Sequence, residues 1–411
     1  MQRRERIVST DSWTEDRVTK QLPAALAGCV VVVGFTCAAF GQWVVETVEV
    51  QGNVGWGTSI AIASDGRPRV SYYDRTNECI KYAVRNGATW DIQTVASAGG
   101  WGSPGAERTS LVLDAQDRPR IAYKDDSGNN DLKCAVWNGS SWEIQTIDST
   151  GGHVGEYCSL ELDAQEGPRI SYDEYSGGTH RLKYAAWNGT NWQVEVVDSS
   201  PGAGPGTSLE LDAAGRPHIS YRDGGPQDLK YAWKDGASWR IEAVDTTGDV
   251  GMHNSLALTN DGKRLISYRD ETNRNLKLAV GDGESWHIQI VDDGSDVGKY
   301  SSIAVDRTGR PAIAYYDASN WRQQSLKYAA WNGSSWDFTI VDPGPVAGWY
   351  NCLVLDDHGN PWISYFEYAG GDLKVAHYVP EPATLSLLAL GGLALLRRRR
   401  RRRRAARRAS C

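Results

Sequence analysis

The sequence is built of repeats, and aromatic side chains recur in the short segments that lead into the first run of each repeat. These segments contain Trp56, Trp101 with Arg108, Tyr157, His253, Tyr300, and Trp349 with Tyr350. Aspartate, asparagine and glycine residues stand near them, and one repeat has no aromatic residue in this segment. Flat aromatic rings suit the faces of sugars, and the polar neighbours suit their hydroxyl groups. These eight residues are therefore the candidate ligand-binding residues, and carbohydrate is the ligand they favour.

A second pattern places one carboxylate and one lysine in every repeat. The carboxylates are Asp74, Asp125, Glu174, Asp223, Asp270, Asp317 and Glu367, and the lysines are Lys81, Lys133, Lys183, Lys230, Lys277, Lys327 and Lys374. An active site needs asymmetry around one substrate, so this regularity predicts a structural role. We expect one cross-strand ion pair in each repeat. A carboxylate ring that holds cations is the alternative, and the sequence predicts no other metal site and no cofactor.

The repeated unit that positions these residues is a four-stranded antiparallel meander. Residues 208–245 contain four short runs rich in β-branched and aromatic residues, separated by Gly215, by Gly224 with Gly225, and by Gly236. A tyrosine of the second run recurs seven times at intervals of 47 to 51 residues, as Tyr72, Tyr123, Tyr172, Tyr221, Tyr268, Tyr315 and Tyr365. Four strands at this period predict the blades of a β-propeller.

The tryptophan of the fourth run is out of phase with this tyrosine. It occurs as Trp43, Trp90, Trp142, Trp192, Trp239, Trp286 and Trp336, so the series begins before the first tyrosine and ends before the last. The chain thus starts with a lone fourth strand and finishes with a blade of three strands. Because unpaired strand edges promote aggregation, we expect the two fragments to pair. The prediction is an all-β, seven-bladed propeller over residues 42–378, closed by its N-terminal strand.

The turns on the two faces of this propeller differ in their regularity. One face carries nearly constant turns, such as the segments that precede Trp142 and Trp192, whereas the turns of the other face vary in length and content. Variable loops on a rigid frame commonly carry binding sites. The aromatic segments should surround the mouth of the central channel on the variable face. The alternative is that their rings only plug this mouth.

Both ends of the chain predict export. Residues 1–41 are a polar segment followed by an apolar run, which is typical of a secretory signal, although the polar part is long and acidic. A misassigned start, with synthesis beginning near Val18, would account for that length. An uncleaved membrane anchor is the alternative.

The C-terminal segment, residues 379–411, has three parts in order. Pro380, Glu381 and Pro382 are followed by a short apolar run that ends at Leu396 and then by a block of arginines. This arrangement resembles the bacterial PEP-CTERM sorting signal. The resemblance implies recognition by an exosortase-type processing enzyme, membrane insertion through the apolar helix, removal of the tail, and delivery to the cell surface or extracellular matrix of a Gram-negative-type bacterium. A simple C-terminal anchor is the alternative, but the run is short for a bilayer core of about 30 Å.

The turn before the recurring tryptophan, as in residues 188–192, resembles the second half of the Asp-box (BNR repeat) of sialidase-type propellers. The aspartate that names the box is absent, and Arg85, Trp137, Trp187, Lys234, Gly281 and Trp331 stand in its place. The resemblance therefore implies the propeller fold and argues against sialidase activity. Glycoside hydrolysis also needs two carboxylates in unlike environments, and the repeated acids do not single out such a pair.

Charge and cysteine content narrow the function further. The net charge is −7, but the tail contributes +10 and residues 1–41 contribute +1, so residues 42–396 carry −18. Nucleic acid is excluded as a partner because phosphate binding needs a basic surface.

Four cysteines of the propeller occupy different positions in different blades, which predicts free thiols. We predict an exported, non-catalytic module that binds polysaccharide; a glycan-cleaving hydrolase and a purely structural matrix scaffold are the alternatives.

Overall fold

The computed structural model describes residues 41–99, 108–128 and 130–380, which form 28 strands in seven antiparallel sheets. The first blade contains β2 (Val54–Ile62), β3 (Pro68–Asp74), β4 (Cys79–Asn86) and β5 (Thr89–Ser97). The second contains β6 (Thr109–Leu113), β7 (Pro119–Asp125), β8 (Asp131–Trp137) and β9 (Trp142–Asp148). The third contains β10 (His153–Leu162), β11 (Pro168–Ser176), β12 (Thr179–Trp187) and β13 (Trp192–Asp198). The fourth contains β14 (Ser208–Leu211), β15 (Pro217–Asp223), β16 (Asp228–Asp235) and β17 (Ser238–Asp245).

The remaining three blades follow the same order. The fifth contains β18 (Val250–Leu258), β19 (Arg264–Asp270), β20 (Asn275–Gly281) and β21 (Trp286–Asp292). The sixth contains β22 (Val297–Val305), β23 (Pro311–Asp317), β24 (Ser325–Trp331) and β25 (Trp336–Asp342). The seventh contains β26 (Ala347–Leu355), β27 (Pro361–Glu367), β28 (Asp372–Val379) and, from the other end of the ring, β1 (Gln42–Glu49).

The pairing of β1 with β28 closes the ring and confirms the predicted architecture. The two strands run antiparallel from Gln42 opposite Val379 to Glu49 opposite Leu373. The Trp43 ring packs edge-on against Tyr378 of this blade and against Tyr328 of the sixth blade. The lone N-terminal strand thereby gains a partner, and the three-stranded fragment becomes a complete four-stranded blade.

Hydrogen bonds from one blade to the next surround the central channel. In six joints a serine at the same place in the inner strand accepts the backbone N–H of a hydrophobic residue in the following blade. Each accepting serine and the residue whose N–H donates to it are Ser59 with Leu111 (3.1 Å), Ser110 with Leu160 (2.9 Å), Ser159 with Leu209 (3.0 Å), Ser208 with Leu256 (3.0 Å), Ser255 with Ile303 (3.2 Å) and Ser302 with Leu353 (2.9 Å). Cys352 takes the seventh place, where its thiol meets the backbone N–H of Ile60. These seven residues form the serine girdle of the channel.

The four cysteines of the ring are free thiols, as predicted. Cys79, Cys134 and Cys158 are buried, and Cys352 is half-buried. Burial raises the pKa of Cys134 and of Cys158 to about 12, so both remain protonated thiols at neutral pH.

The predicted cross-strand ion pair is present in all seven blades. The pairs are Lys81 with Asp74 (2.7 Å), Lys133 with Asp125, Lys183 with Glu174 (3.5 Å), Lys230 with Asp223 (2.5 Å), Lys277 with Asp270 (2.7 Å), Lys327 with Asp317 (3.2 Å) and Lys374 with Glu367 (4.0 Å). The regular pattern is therefore structural.

A further carboxylate, which the sequence analysis did not single out, joins neighbouring blades. This carboxylate belongs to the last residue of the fourth strand of one blade. It accepts a hydrogen bond from the hydroxyl of the recurring tyrosine in the next blade, and it lies near the recurring lysine of that next blade. The hydroxyl bonds are Tyr72 to Glu49 (2.5 Å), Tyr172 to Asp148 (2.7 Å), Tyr221 to Asp198 (2.7 Å), Tyr268 to Asp245 (2.7 Å), Tyr315 to Asp292 (2.6 Å) and Tyr365 to Asp342 (2.5 Å). We call each of these groups a blade latch.

The joint between the first and second blades lacks the latch. Ala96 stands where the other blades have the latch carboxylate. It pairs with Ile80 in the first blade, as Asp148 pairs with Leu132 in the second. No carboxylate therefore reaches Tyr123, whose hydroxyl is buried and has no hydrogen-bond partner among the described residues. An unpaired buried hydroxyl costs about 1–3 kcal/mol, so Tyr123 does not give this joint the stabilisation that the latch gives the other six.

Candidate functional site

A bulge near the start of the inner strand sets the geometry of the channel mouth. The register shifts in this region in five blades, for example between Val54 and Trp56 and between Val297 and Lys299. A glycine in the bulge has a positive φ, and a Cβ there would lie about 3 Å from the backbone of a leucine in the preceding blade, as at Gly251 (3.0 Å). Only glycine permits so close an approach.

Two residues after this glycine, the chain adopts a left-handed conformation that turns one side chain toward the axis. In four blades the residue is aromatic: Tyr157 (φ 52°), His253 (φ 52°), Tyr300 (φ 55°) and Tyr350 (φ 52°). Gly57 and Gly206 hold the same place in the first and fourth blades. A bulky residue with positive φ costs about 1–3 kcal/mol, and such strain concentrates at functional sites.

Seven of the eight residues predicted for ligand binding line a single cavity of about 500 Å³ at this mouth. They are Trp56, Arg108, Tyr157, His253, Tyr300, Trp349 and Tyr350. Trp101 lies outside the described residues. Arg75, Met252 and Tyr368 also line the cavity and were not predicted. All seven blades contribute at least one residue, so the cavity lies over the ring axis.

The aromatic residues of the cavity form one connected wall. The Tyr300 ring centroid lies 4.6 Å from His253, 4.8 Å from Tyr350 and 5.7 Å from Trp349. Trp349 in turn lies 4.8 Å from Tyr368. The fourth blade, next to this wall in the ring, contributes only Pro205 and Gly206 to the lining.

The predicted residues divide into two groups by exposure. Trp56 and Tyr350 are only 3% and 4% exposed, so they chiefly support the wall from behind. Tyr157, His253, Tyr300 and Trp349 are half-buried and present part of each ring to the cavity. The alternative that the rings plug the channel therefore describes the first group, whereas the second remains accessible to a ligand.

The mouth is electropositive although the ring as a whole is acidic. Burial, together with the positive charges of Arg108, Arg269 and Lys299, lowers the pKa of His253 to about 3. His253 is therefore neutral at physiological pH and contributes a flat polar ring. Burial raises the pKa of Tyr157 to about 12, which keeps its hydroxyl protonated.

A pair of glutamates lies deeper in the channel. Glu161 and Glu210 are two residues beyond the serine girdle in the third and fourth blades, where the other five blades have alanine or valine. Burial raises the pKa of both carboxyl groups, and the charge of Glu161 raises that of Glu210 further. The asymmetric acid pair that sequence reasoning did not identify is thus present in the channel, about 7 Å along the strand from the girdle.

Other kinds of site find no support in the described residues. Among residues 41–99, 108–128 and 130–380, no three histidine, cysteine or acidic side chains come together as metal ligands. The same ranges contain no helix with the length and apolar character needed to cross a membrane. Pro380 ends the described chain, and Glu381 and Pro382 of the predicted sorting motif lie outside it.

The predicted resemblance of the C-terminal segment to a PEP-CTERM sorting signal is confirmed by a family model. Residues 379–402 match the PEP-CTERM protein-sorting motif. The motif implies export and C-terminal membrane anchoring or sorting. No curated protein matches the chain in sequence.

Solved structures of similar fold include a lectin and a polysaccharide lyase. A lectin from Aleuria aurantia, described as a six-bladed β-propeller with a novel fucose recognition mode, aligns with a TM-score of 0.51 and 18% identity, over 74% of this chain and 100% of its own. A PL25 ulvan lyase, a polysaccharide lyase, aligns with a TM-score of 0.59 and 13% identity, over 82% of this chain and 96% of its own. At these identities the likeness establishes the propeller fold alone. The likeness to Asp-box repeats is not tested by these structures and stays a prediction.

Proposed function

We propose that this protein is an exported, non-catalytic module of the cell surface or extracellular matrix that binds polysaccharide at the mouth of its propeller. The observation that carries the proposal is the convergence of accessible rings from four blades on one cavity, among them Tyr157, Tyr300 and Trp349. Rings held at fixed angles around a concave site suit the faces of sugars, and their polar edges suit the hydroxyls. The occurrence of this fold in a lectin supports the same function.

The ends of the chain fit this role. We propose that residues 1–41 direct export, that residues 42–378 form the mature binding domain, and that residues 379–411 are recognised by an exosortase-type enzyme. The apolar part of the C-terminal segment would hold the protein in the membrane until processing releases it to the surface. Mass spectrometry of the surface protein should then find a C-terminus near Pro380 and an N-terminus near Gln42.

A glycan array tests the binding function. The full-length protein, solubilised in detergent, should bind a restricted set of glycans, and Trp349→Ala should abolish that binding. Trp321→Ala is the matched control because Trp321 is 76% exposed on a loop and does not line the cavity. Retained binding in Trp349→Ala would refute the proposed site, and absence of any glycan binding by the wild-type protein would favour the structural scaffold.

Glycan cleavage is the second candidate function, and the Glu161–Glu210 pair favours it. Two carboxyl groups with raised pKa values supply a general acid and, after one proton is lost, a base or nucleophile. Incubation of the array-positive glycan with the protein should then release new chain ends. If turnover occurs, Glu161→Gln and Glu210→Gln should each abolish it while leaving glycan binding intact; if none occurs, the binding module stands alone.

A further inference from the structure

The described residues that line the mouth cavity carry only positive charge. Arg75 and Arg108 are the charged residues among them, and within residues 41–99, 108–128 and 130–380 no carboxylate belongs to the lining. The surrounding sequence, residues 42–396, has a net charge of −18, so a mouth without acids departs from the rest of the ring. The Arg75 guanidinium lies 4.8 Å from the centroid of the Trp56 ring, which holds one cation against the aromatic wall.

Arg108 lies near the ring axis, because it lines the mouth cavity together with residues from the six other blades. Its charge acts on His253 of the fifth blade, on Tyr157 of the third, on Tyr300 of the sixth and on Cys352 of the seventh. Burial raises the pKa values of Tyr157, Tyr300 and Cys352, and the Arg108 charge opposes that rise at all three.

The Arg108 guanidinium has no ion-pair or side-chain hydrogen-bond partner within the described residues, whereas the acids around the mouth are already paired. Glu156 bonds Lys124 at 3.0 Å, and Asp296 bonds Arg269 at 2.8 Å. Within the described part of the chain, these pairs leave no carboxylate to compensate the positive charge of Arg108. An uncompensated guanidinium in a half-enclosed site favours an anionic group, with which it forms two parallel hydrogen bonds.

An aromatic cavity would also suit an organic cation, because aromatic faces attract ammonium groups. Here the two arginines would repel such a ligand, and the same positive field opposes protonation of His253. The charges therefore discriminate between the two kinds of ligand that the rings alone would accept.

We propose that the mouth cavity binds acidic saccharides, with Arg108 pairing the anionic group of a sugar whose ring lies against Trp349. The inference rests on the proposed carbohydrate-binding function and specifies its ligand class. Carboxylate and sulfate groups share the required chemistry, since both present paired oxygens to a guanidinium.

Matched pairs of oligosaccharides test this inference on the full-length protein. The first pair is tetragalacturonate and the same oligosaccharide with its carboxyl groups reduced to alcohols; the second is a sulfated galactan tetrasaccharide and its desulfated form. Isothermal titration should show at least about tenfold tighter binding of an acidic member than of its neutral counterpart. The pair that shows this preference identifies the group as carboxylate or sulfate.

Two substitutions locate the preference. Arg108→Gln should remove this preference, so that the acidic and neutral members of a pair bind with equal affinity, whereas Arg240→Gln, on the exposed outer strand β17, should leave the preference intact. In the wild-type protein, raising NaCl from about 0.05 to 0.3 M should weaken only the acidic ligand, which tests the charge without any variant.

The outcomes separate the two proposals. Equal affinity for acidic and neutral members, or a preference that survives in Arg108→Gln, would overturn the acidic-ligand inference while carbohydrate binding stands. Failure to bind any member of either pair, together with a silent glycan array, would overturn both.

Discussion

Replacing Tyr315 with phenylalanine removes one oxygen atom from the blade latch between the fifth and sixth blades. The hydroxyl is buried and donates to Asp292 at 2.6 Å, and a hydrogen bond to a charged group contributes about 1.5–3 kcal/mol. Asp292 keeps its bonds to Lys327 (2.6 Å) and to the backbone N–H of Gly294 (3.0 Å), so the carboxylate is not left unpaired. We therefore expect Tyr315→Phe to lower the free energy of unfolding by about 2 kcal/mol.

The natural exception supplies the matched control. Tyr123 occupies the same place in the second blade and is equally buried, but its hydroxyl has no hydrogen-bond partner in the described part of the chain. Tyr123→Phe should change stability by less than about 0.5 kcal/mol, or raise it. Urea-induced unfolding followed by tryptophan fluorescence measures both variants. Equal losses at Tyr315 and Tyr123 would refute the assignment of interblade stability to the latch.

The loss at Tyr315 should also depend on pH. Burial alone would raise the pKa of Asp292, but hydrogen bonds from Lys327, Tyr315 and Gly294 hold it below its usual value. A carboxylate with a lowered pKa in the folded state stabilises the protein above its unfolded pKa of about 3.9, and this stabilisation disappears as the pH falls through the folded value. The penalty of Tyr315→Phe should therefore be complete at pH 7 and shrink only below about pH 4.

Three further predictions concern the joints and the channel. Ala96→Asp should supply the missing latch and raise the free energy of unfolding by about 1–2 kcal/mol, which is measured as a higher urea midpoint. An unchanged or lower midpoint would contradict this prediction. The raised pKa values of Glu161 and Glu210 mean that wild-type stability decreases as the pH rises above about 4.3, and the doubly Gln-substituted protein should lose this decrease between pH 5 and 8. Gly251→Ala places a Cβ 3.0 Å from the backbone of the neighbouring blade, whereas Gly262→Ala meets no atom within 4 Å at a similar φ. Gly251→Ala should thus melt several degrees lower, and equal melting temperatures would count against the close approach.

The architecture could be predicted from the sequence because the repeat fixes it. The offset between the tryptophan and tyrosine series required a ring closed by β1, and the register from Gln42 to Glu49 confirms this. The same alignment of repeats located the segments at the channel mouth, so seven of the eight predicted residues line one cavity. Binding of a ligand by these residues stays a prediction.

The features that the sequence analysis missed depend on which blades are neighbours. The latch carboxylates lie six residues after the recurring tryptophan, a regular spacing that becomes meaningful only when the next blade brings a tyrosine hydroxyl to it, as Tyr268 does to Asp245. Glu161 and Glu210 carried a usable signal, since other blades have small apolar residues at that position. Arg75 and Tyr368 each stand three residues after the recurring tyrosine, at the start of the loop between the second and third strands, a position that the sequence analysis did not consider.

A crystal structure of the protein with its best-binding glycan tests the central claim most directly. The account predicts a sugar ring against Trp349 at the mouth cavity, with the anionic group of the glycan within hydrogen-bond distance of the Arg108 guanidinium. A glycan found instead in the cleft between the fourth and fifth blades, which is lined by Arg216, His218 and Arg264, with none at the mouth, would contradict it.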